Sequence, residues 1–117
     1  MLGFFKNIFK PAEKAYKDLN TNEFKASIKS DTIIIDVRTP DEYKSGKIAK
    51  AKNINVASFD FMKEAQKLDK NKEVLVYCRS GARSARAAGM LAKLGFTKVS
   101  NLKGGIMAWQ SHGEKVA

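Results

Sequence analysis

The chain contains a single cysteine, and the seven residues Cys78-Arg79-Ser80-Gly81-Ala82-Arg83-Ser84 surround its thiol with groups that favour negative charge. The segment lies between an apolar strand-like run and the start of a helical stretch, so its backbone N–H groups can converge on one point. Unpaired amides at a helix N-terminus, the positive end of the helix dipole and two guanidinium groups make that point an anion site. The expected consequence is a lowered thiol pKa, and the thiolate is the reactive form. Gly81 supplies the backbone freedom a tight cradle needs. A cysteine that ends a core strand is often only a small buried hydrophobe, and Arg79 or Arg83 alone would suit a solvated surface. Two arginines and a glycine within five positions of the cysteine point instead to a reactive nucleophile that solvent can reach.

One cysteine permits no internal disulfide, and with one histidine it excludes the usual Cys/His zinc sites, so no metal is expected. A lone thiol is most easily kept reduced in the cytosol, and no segment approaches the roughly 20 apolar residues of a membrane span. The cytoplasm is the expected compartment. The 22 Lys and Arg against 12 Asp and Glu give a net charge of +10, which concentrates anions at the surface. These basic residues are scattered singly or in pairs, with little of the aromatic interleaving that base stacking needs. The charge therefore reads as solubility and anion steering, with nucleic acid the less favoured partner.

At 117 residues, 44% of them hydrophobic, the chain suits one folded domain. Residues 1–12 are expected to be a separate short amphipathic segment: at helical spacing Phe4 with Ile8 and Phe5 with Phe9 are one turn apart, and Pro11 ends the pattern. Packing on the domain is its plainer role, and contact of residues 1–10 with a membrane surface or a partner the sharper one. It matches a secretory signal poorly, because Lys6 interrupts it. The domain proper is assigned to residues 13–117.

Thr32 to Val37 and Glu73 to Cys78 are nearly continuous apolar runs rich in β-branched residues, as in central parallel strands buried on both faces. Weaker strands are expected at 15–19, 52–55 and 98–101, with helices between them starting after caps such as Thr21 and Ser58. The clearest helix runs from about Arg83 to Leu94 and ends at Gly95. It is expected to turn Ala85, Ala88, Gly89, Leu91 and Ala92 to the sheet. Strand–helix alternation implies a parallel α/β sheet, whose ligands bind beyond the carboxyl ends of the strands, where Asp36 and Cys78 both fall.

Three ordered stretches carry a family resemblance. The Cys78–Ser84 loop resembles the active-site loop of single-domain rhodaneses. Asp36-Val37-Arg38-Thr39-Pro40-Asp41-Glu42-Tyr43-Lys44-Ser45-Gly46-Lys47-Ile48, with Ala51-Lys52-Asn53-Ile54, is similar to that family's first signature. Leu102-Lys103-Gly104-Gly105-Ile106-Met107-Ala108-Trp109 is similar to its closing glycine-pair and tryptophan segment. The resemblance spans about residues 15–113. It implies a rhodanese-like three-layer α/β fold with a five-stranded, mainly parallel sheet and helices on both faces. It also implies that Arg38 and Glu42 pair to hold the loop after the strand, that Asp36 bonds nearby backbone, and that Trp109 is core. Lys47 departs from the pattern, which usually has histidine there; the lone His112 is elsewhere and does not replace it.

The chemistry the resemblance implies is thiosulfate sulfurtransferase chemistry. Cys78 would take the outer sulfur of a small anionic donor such as thiosulfate, hold it as a persulfide, and pass it to cyanide or to a low-molecular-weight or protein thiol. A thioredoxin-like or sulfur-relay protein is a candidate acceptor. Arg79, Ser80, Gly81, Ala82 and Arg83 would bind the donor and the growing charge, with no cofactor, in a monomeric protein. Related domains use a cysteine in such a cradle to attack phosphorus or arsenic, but with one more residue before the arginine. Here four residues separate Cys78 from Arg83, a ring sized for sulfur. A carrier or protein-interaction module with little turnover, and sulfur delivery towards tRNA modification, remain as other readings.

Overall fold

Ile33–Asp36 and Val74–Tyr77, the two apolar runs, form interior strands β2 and β4 of the sheet in a computed structural model that describes residues 14–117. Lys17–Leu19 is β1, Lys52–Asn53 is β3 and Val99–Leu102 is β5. The strand order is β1-β5-β4-β2-β3, and all four pairings are parallel, so the sheet is wholly rather than mainly parallel. Each crossover carries a helix: α1 Thr21–Ala26, α2 Pro40–Ser45, α3 Phe61–Gln66 and α4 Ala82–Lys93, with α5 Gly105–Ser111 after β5.

Alternate strand side chains enter two cores. Ile35, Val74, Val76 and Cys78 meet Phe61 and Ala65 of α3 and Ala87, Ala88 and Leu91 of α4. On the opposite face, Ile34, Leu75, Tyr77 and Leu102 meet Phe24 of α1 and Ile106 and Trp109 of α5, with Tyr43 of α2 packed against them. Helices therefore cover both faces, and both faces of β2 and β4 are dry, which explains their nearly continuous apolar sequence.

Local details differ from the sequence expectations. Strands β1 and β3 are shorter than 15–19 and 52–55, as edge strands with one pairing partner often are. Asn20, rather than Thr21, caps α1, in a reciprocal capping box with Glu23. Asp60 precedes α3, and Ser58 Oγ accepts from its amide. On α4 the buried face is Ser84, Ala87, Ala88 and Leu91, while Ala85, Gly89 and Ala92 are only half-buried. Gly89 has open space where a side chain would go, so it does not mark close approach to the sheet. The amphipathic stretch at 1–12 lies outside the described residues. No described helix is long and apolar enough to cross a membrane.

Candidate active site

The loop begins where β4 ends, at the carboxyl edge of the sheet, and closes into α4. Gly81 takes φ +107°, a left-handed conformation that favours glycine, and this directs its N–H to Cys78 Sγ at 3.1 Å. The Ser84 hydroxyl lies 3.3 Å from the same sulfur. Burial pushes the Cys78 thiol up, but the Ser84 hydroxyl and the amides of Ser84, Gly81 and Ser80 outweigh it and hold the pKa below the ordinary cysteine value. Hydrogen bonds, more than the guanidinium charge expected from sequence, are therefore the main lowering influence.

The cysteine itself is 1% exposed, at the floor of the loop and inside the core cluster over α4. This departs from the expectation of a thiol open to solvent. The physical reason is the strand's alternation: residue 78 continues the inward-facing series of Val74 and Val76. Arg79 and Ser80, one and two residues on, are exposed.

The loop is clamped from behind by the turn into α5. Ile106 N–H donates to the Cys78 carbonyl at 2.9 Å and Met107 N–H to the Arg79 carbonyl at 3.1 Å. A Cβ on Gly105 would lie 2.2 Å from the Arg79 carbonyl oxygen, so only glycine permits this approach. From the side, Asn101 Nδ2 donates to Asp18 Oδ1 at 3.0 Å and reaches the Gly81 carbonyl at 3.4 Å.

Two carboxylates organise the neighbouring strand end. Asp36 is fully buried and accepts from Arg38 N–H, from Arg38 Nε and Nη2, and from the Tyr77 hydroxyl at 2.7 Å. Burial, reinforced by Asp36, holds the Tyr77 phenol above its usual pKa. Glu42 on α2 reaches across to the start of α4, just after the cysteine loop, and binds Arg83 through two parallel hydrogen bonds of 2.8 and 2.9 Å. Arg83, with help from the Thr39 amide and hydroxyl, lowers the Glu42 carboxyl to about 2. Among the described residues, no carboxylate pairs with Arg79, and no group of acidic, histidine or cysteine side chains could hold a metal ion.

Residues 20–112 match the rhodanese-like domain. The chain belongs to the rhodanese-like family. A sulfurtransferase of Allochromatium vinosum is 39% identical over 83 residues, covering 71% of this chain and 76% of that protein. A tRNA uridine(34) hydroxylase of Staphylococcus carnosus is 33% identical over 109 residues, covering 89% of this chain but 34% of that longer protein. A crystal structure of a rhodanese-related protein from Thermoplasma volcanium has a TM-score of 0.77 at 31% identity, with 87% of this chain and 98% of that one covered. The family and the sulfurtransferase relative support sulfur transfer as the general chemistry.

Within this rhodanese-like chain one expected pairing is corrected. Arg38 does not bind Glu42: it binds Asp36, two residues back, and donates to the Gly46 carbonyl, while Glu42 holds Arg83. A side chain two positions from Asp36 on the same dry strand end can neutralise it directly, whereas Glu42 projects from α2 towards the loop. Asp36 does bond nearby backbone, at Arg38 N–H. Trp109 is core at 5% exposed, edge-on to Phe24. Lys47, in the position where the family usually has histidine, lays its ammonium 4.6 Å from the Tyr43 ring centre. His112 is exposed. The residues missing from the sequence-based site are Ser84, Asn101 and Gly105. Ser84 could have been found as a hydroxyl in the first turn of the helix after the cysteine; nothing local marks Asn101.

Proposed function

We propose that the protein is a sulfurtransferase that carries a sulfane sulfur on Cys78, taken from a thiosulfate-like anion and passed to a thiol or cyanide. In loading, the Cys78 thiolate attacks the outer sulfur of the donor. The bond from that sulfur to the donor's sulfonate sulfur breaks, and its electron pair leaves with sulfite. The cysteine then carries a persulfide, and a second nucleophile removes the outer sulfur, so the kinetics are ping-pong. The Gly81 N–H stabilises charge on sulfur in the manner of an oxyanion hole. Arg79, exposed and without a carboxylate partner among the described residues, orients the donor's oxygens. Ser80, Ala82 and Arg83 complete the ring, which needs no cofactor.

The observation that carries this reading is the single thiol held at the end of β4 by the Gly81 amide and Ser84 hydroxyl, with its pKa lowered despite burial. Sulfur is favoured over phosphorus because Glu42 already takes a hydrogen bond from each terminal nitrogen of Arg83, leaving that guanidinium less able to clamp a tetrahedral oxyanion. The 1% exposure of Cys78 favours a second reading, a carrier or docking module with little turnover. The acceptor is a small thiol or a thioredoxin-like or sulfur-relay protein, met by a monomer in the cytoplasm, where a lone thiol stays reduced. The basic surface serves anion steering rather than nucleic-acid binding.

The test is intact-mass measurement after incubation with thiosulfate. One added sulfur, absent from Cys78→Ser and removed by a thiol reductant, is expected. Protein that gains sulfur but turns over thiosulfate and cyanide no faster than Cys78→Ser is a carrier, and protein that gains none from any sulfane donor overturns the proposal.

A further inference from the structure

The Ser84 hydroxyl is fully buried and stands between two acceptors, Cys78 Sγ at 3.3 Å and the Gly81 carbonyl oxygen at 3.2 Å. A hydroxyl has one proton to donate, so it serves one of them fully at a time. Charge decides which, because a hydrogen bond to an ionised acceptor is about twice as strong as one between neutral groups. When Sγ is a thiolate, the proton belongs on sulfur. When Sγ carries a second sulfur, the negative charge moves to the outer atom, Sγ becomes a weak acceptor, and the hydroxyl returns to the carbonyl. That carbonyl also accepts from Ala85 N–H at 3.1 Å, so the loop stays tied in either state.

We propose that Ser84 is a catalytic residue of sulfur release, its hydroxyl swinging from the Gly81 carbonyl to Cys78 Sγ as that atom becomes the leaving group. The role rests on the persulfide reading above. In release, the sulfur of an acceptor thiolate bonds to the outer sulfur of the persulfide. The bond from the outer sulfur to Sγ breaks, and its electron pair stays on Sγ, so charge and electrons are conserved. A leaving thiolate that is better stabilised departs faster. The same hydrogen bond acts in the opposite sense during loading, because it stabilises the free thiolate that loading consumes. Ser84 therefore biases the protein towards the unloaded state. A residue that only held the loop in shape would affect both directions alike.

Ser84→Ala removes the proton while Ala85 keeps its bond to the Gly81 carbonyl, and Ser84→Thr keeps a hydroxyl. Two single-turnover measurements by intact mass separate the directions, both at a pH above the thiol titration of every variant. One is the loading equilibrium at set ratios of thiosulfate to sulfite; the other is the rate at which dithiothreitol discharges pre-loaded protein. Ser84→Ala is expected to shift the loading equilibrium towards persulfide by about tenfold and to slow discharge severalfold, with Ser84→Thr near wild type. An Ala variant of native circular dichroism whose loading equilibrium does not move towards persulfide, or whose discharge is not slowed, overturns the role. If threonine proves too large for the buried site, the opposite-signed changes in Ser84→Ala decide alone. Wild-type protein that never gains sulfur overturns the persulfide reading together with this role, whereas a normal wild-type cycle with a symmetric Ala variant removes only Ser84.

Discussion

Replacing Gly105 with alanine puts a methyl group against the backbone of the Cys78 loop. The new Cβ would lie 2.2 Å from the Arg79 carbonyl oxygen, 2.4 Å from its carbon and 2.6 Å from the Cys78 carbonyl oxygen. No flexible side chain can yield there, so the loop or the start of α5 must retreat by about 1 Å to regain an ordinary contact. That retreat lengthens the two bonds from Ile106 and Met107 to the loop carbonyls, each worth about 1 kcal/mol. Residue 105 also sits at φ +63°, which costs a side-chain-bearing residue about 1 kcal/mol more. The expected destabilisation is therefore about 3 kcal/mol, a large share of the stability of a small domain. A displaced loop also carries the Gly81 N–H away from Sγ, so the thiol pKa should rise towards the ordinary value. Urea denaturation reads the first effect, and the pH dependence of iodoacetamide alkylation reads the second. Gly89→Ala is the control: its Cβ meets nothing within 4 Å, and alanine in the middle of α4 should stabilise by roughly 0.5–1 kcal/mol. A Gly105→Ala protein of wild-type stability and unchanged alkylation profile would refute the clamp.

Glu42→Gln should loosen the hold of α2 on the loop. The folded-state pKa of Glu42 is depressed from 4.5 to about 2, so the pair's stabilisation is present above pH 4.5 and is lost as pH falls through about 2. Because both side chains are partly exposed, about 1 kcal/mol is expected, seen as urea midpoints that differ between wild type and variant at pH 6 and converge near pH 2. Arg38→Met leaves the buried Asp36 charge without its main partner and should cost roughly 3–5 kcal/mol in the same assay; a loss under 1 kcal/mol would mean that Tyr77 and the backbone suffice. Cys78, with a lowered pKa but 1% exposed, should react with iodoacetamide near neutral pH and only slowly with a bulky aromatic disulfide. Equal rates for the two reagents would place the thiol on the surface, and no reaction with either would seal it off from any donor.

Much of this molecule is legible in short stretches of chain. The central strands follow from Ile33 to Ile35 and Val74 to Tyr77, because a strand covered on both faces is apolar at nearly every position, the buried Asp36 being held by Arg38 and Tyr77. Cys78 and the left-handed Gly81 lie within four consecutive residues, and their geometry is set by local backbone preferences and by the strand-to-helix turn. What the chain alone did not decide was the pairing of charges: the family resemblance put Arg38 on Glu42, whereas the structure puts it on Asp36 and Glu42 on Arg83. Arg38 had two acidic neighbours, Asp36 and Glu42, and spacing along the chain does not say which one faces it.

Tertiary structure made that choice. Glu42 and Arg83 are 41 residues apart, as are Asp36 and Tyr77, and each pair meets only because β4 lies beside β2 in the sheet. The depth of the Cys78 sulfur, the contact of Asn101 with the Gly81 carbonyl and the fit of Gly105 against the loop are likewise products of packing between distant segments. Local sequence determines which backbone shapes and which chemical groups are present. Contact between groups, their loss of water and the resulting shifts in charge depend on the assembled fold, because desolvation and hydrogen-bond geometry exist only once the elements have packed.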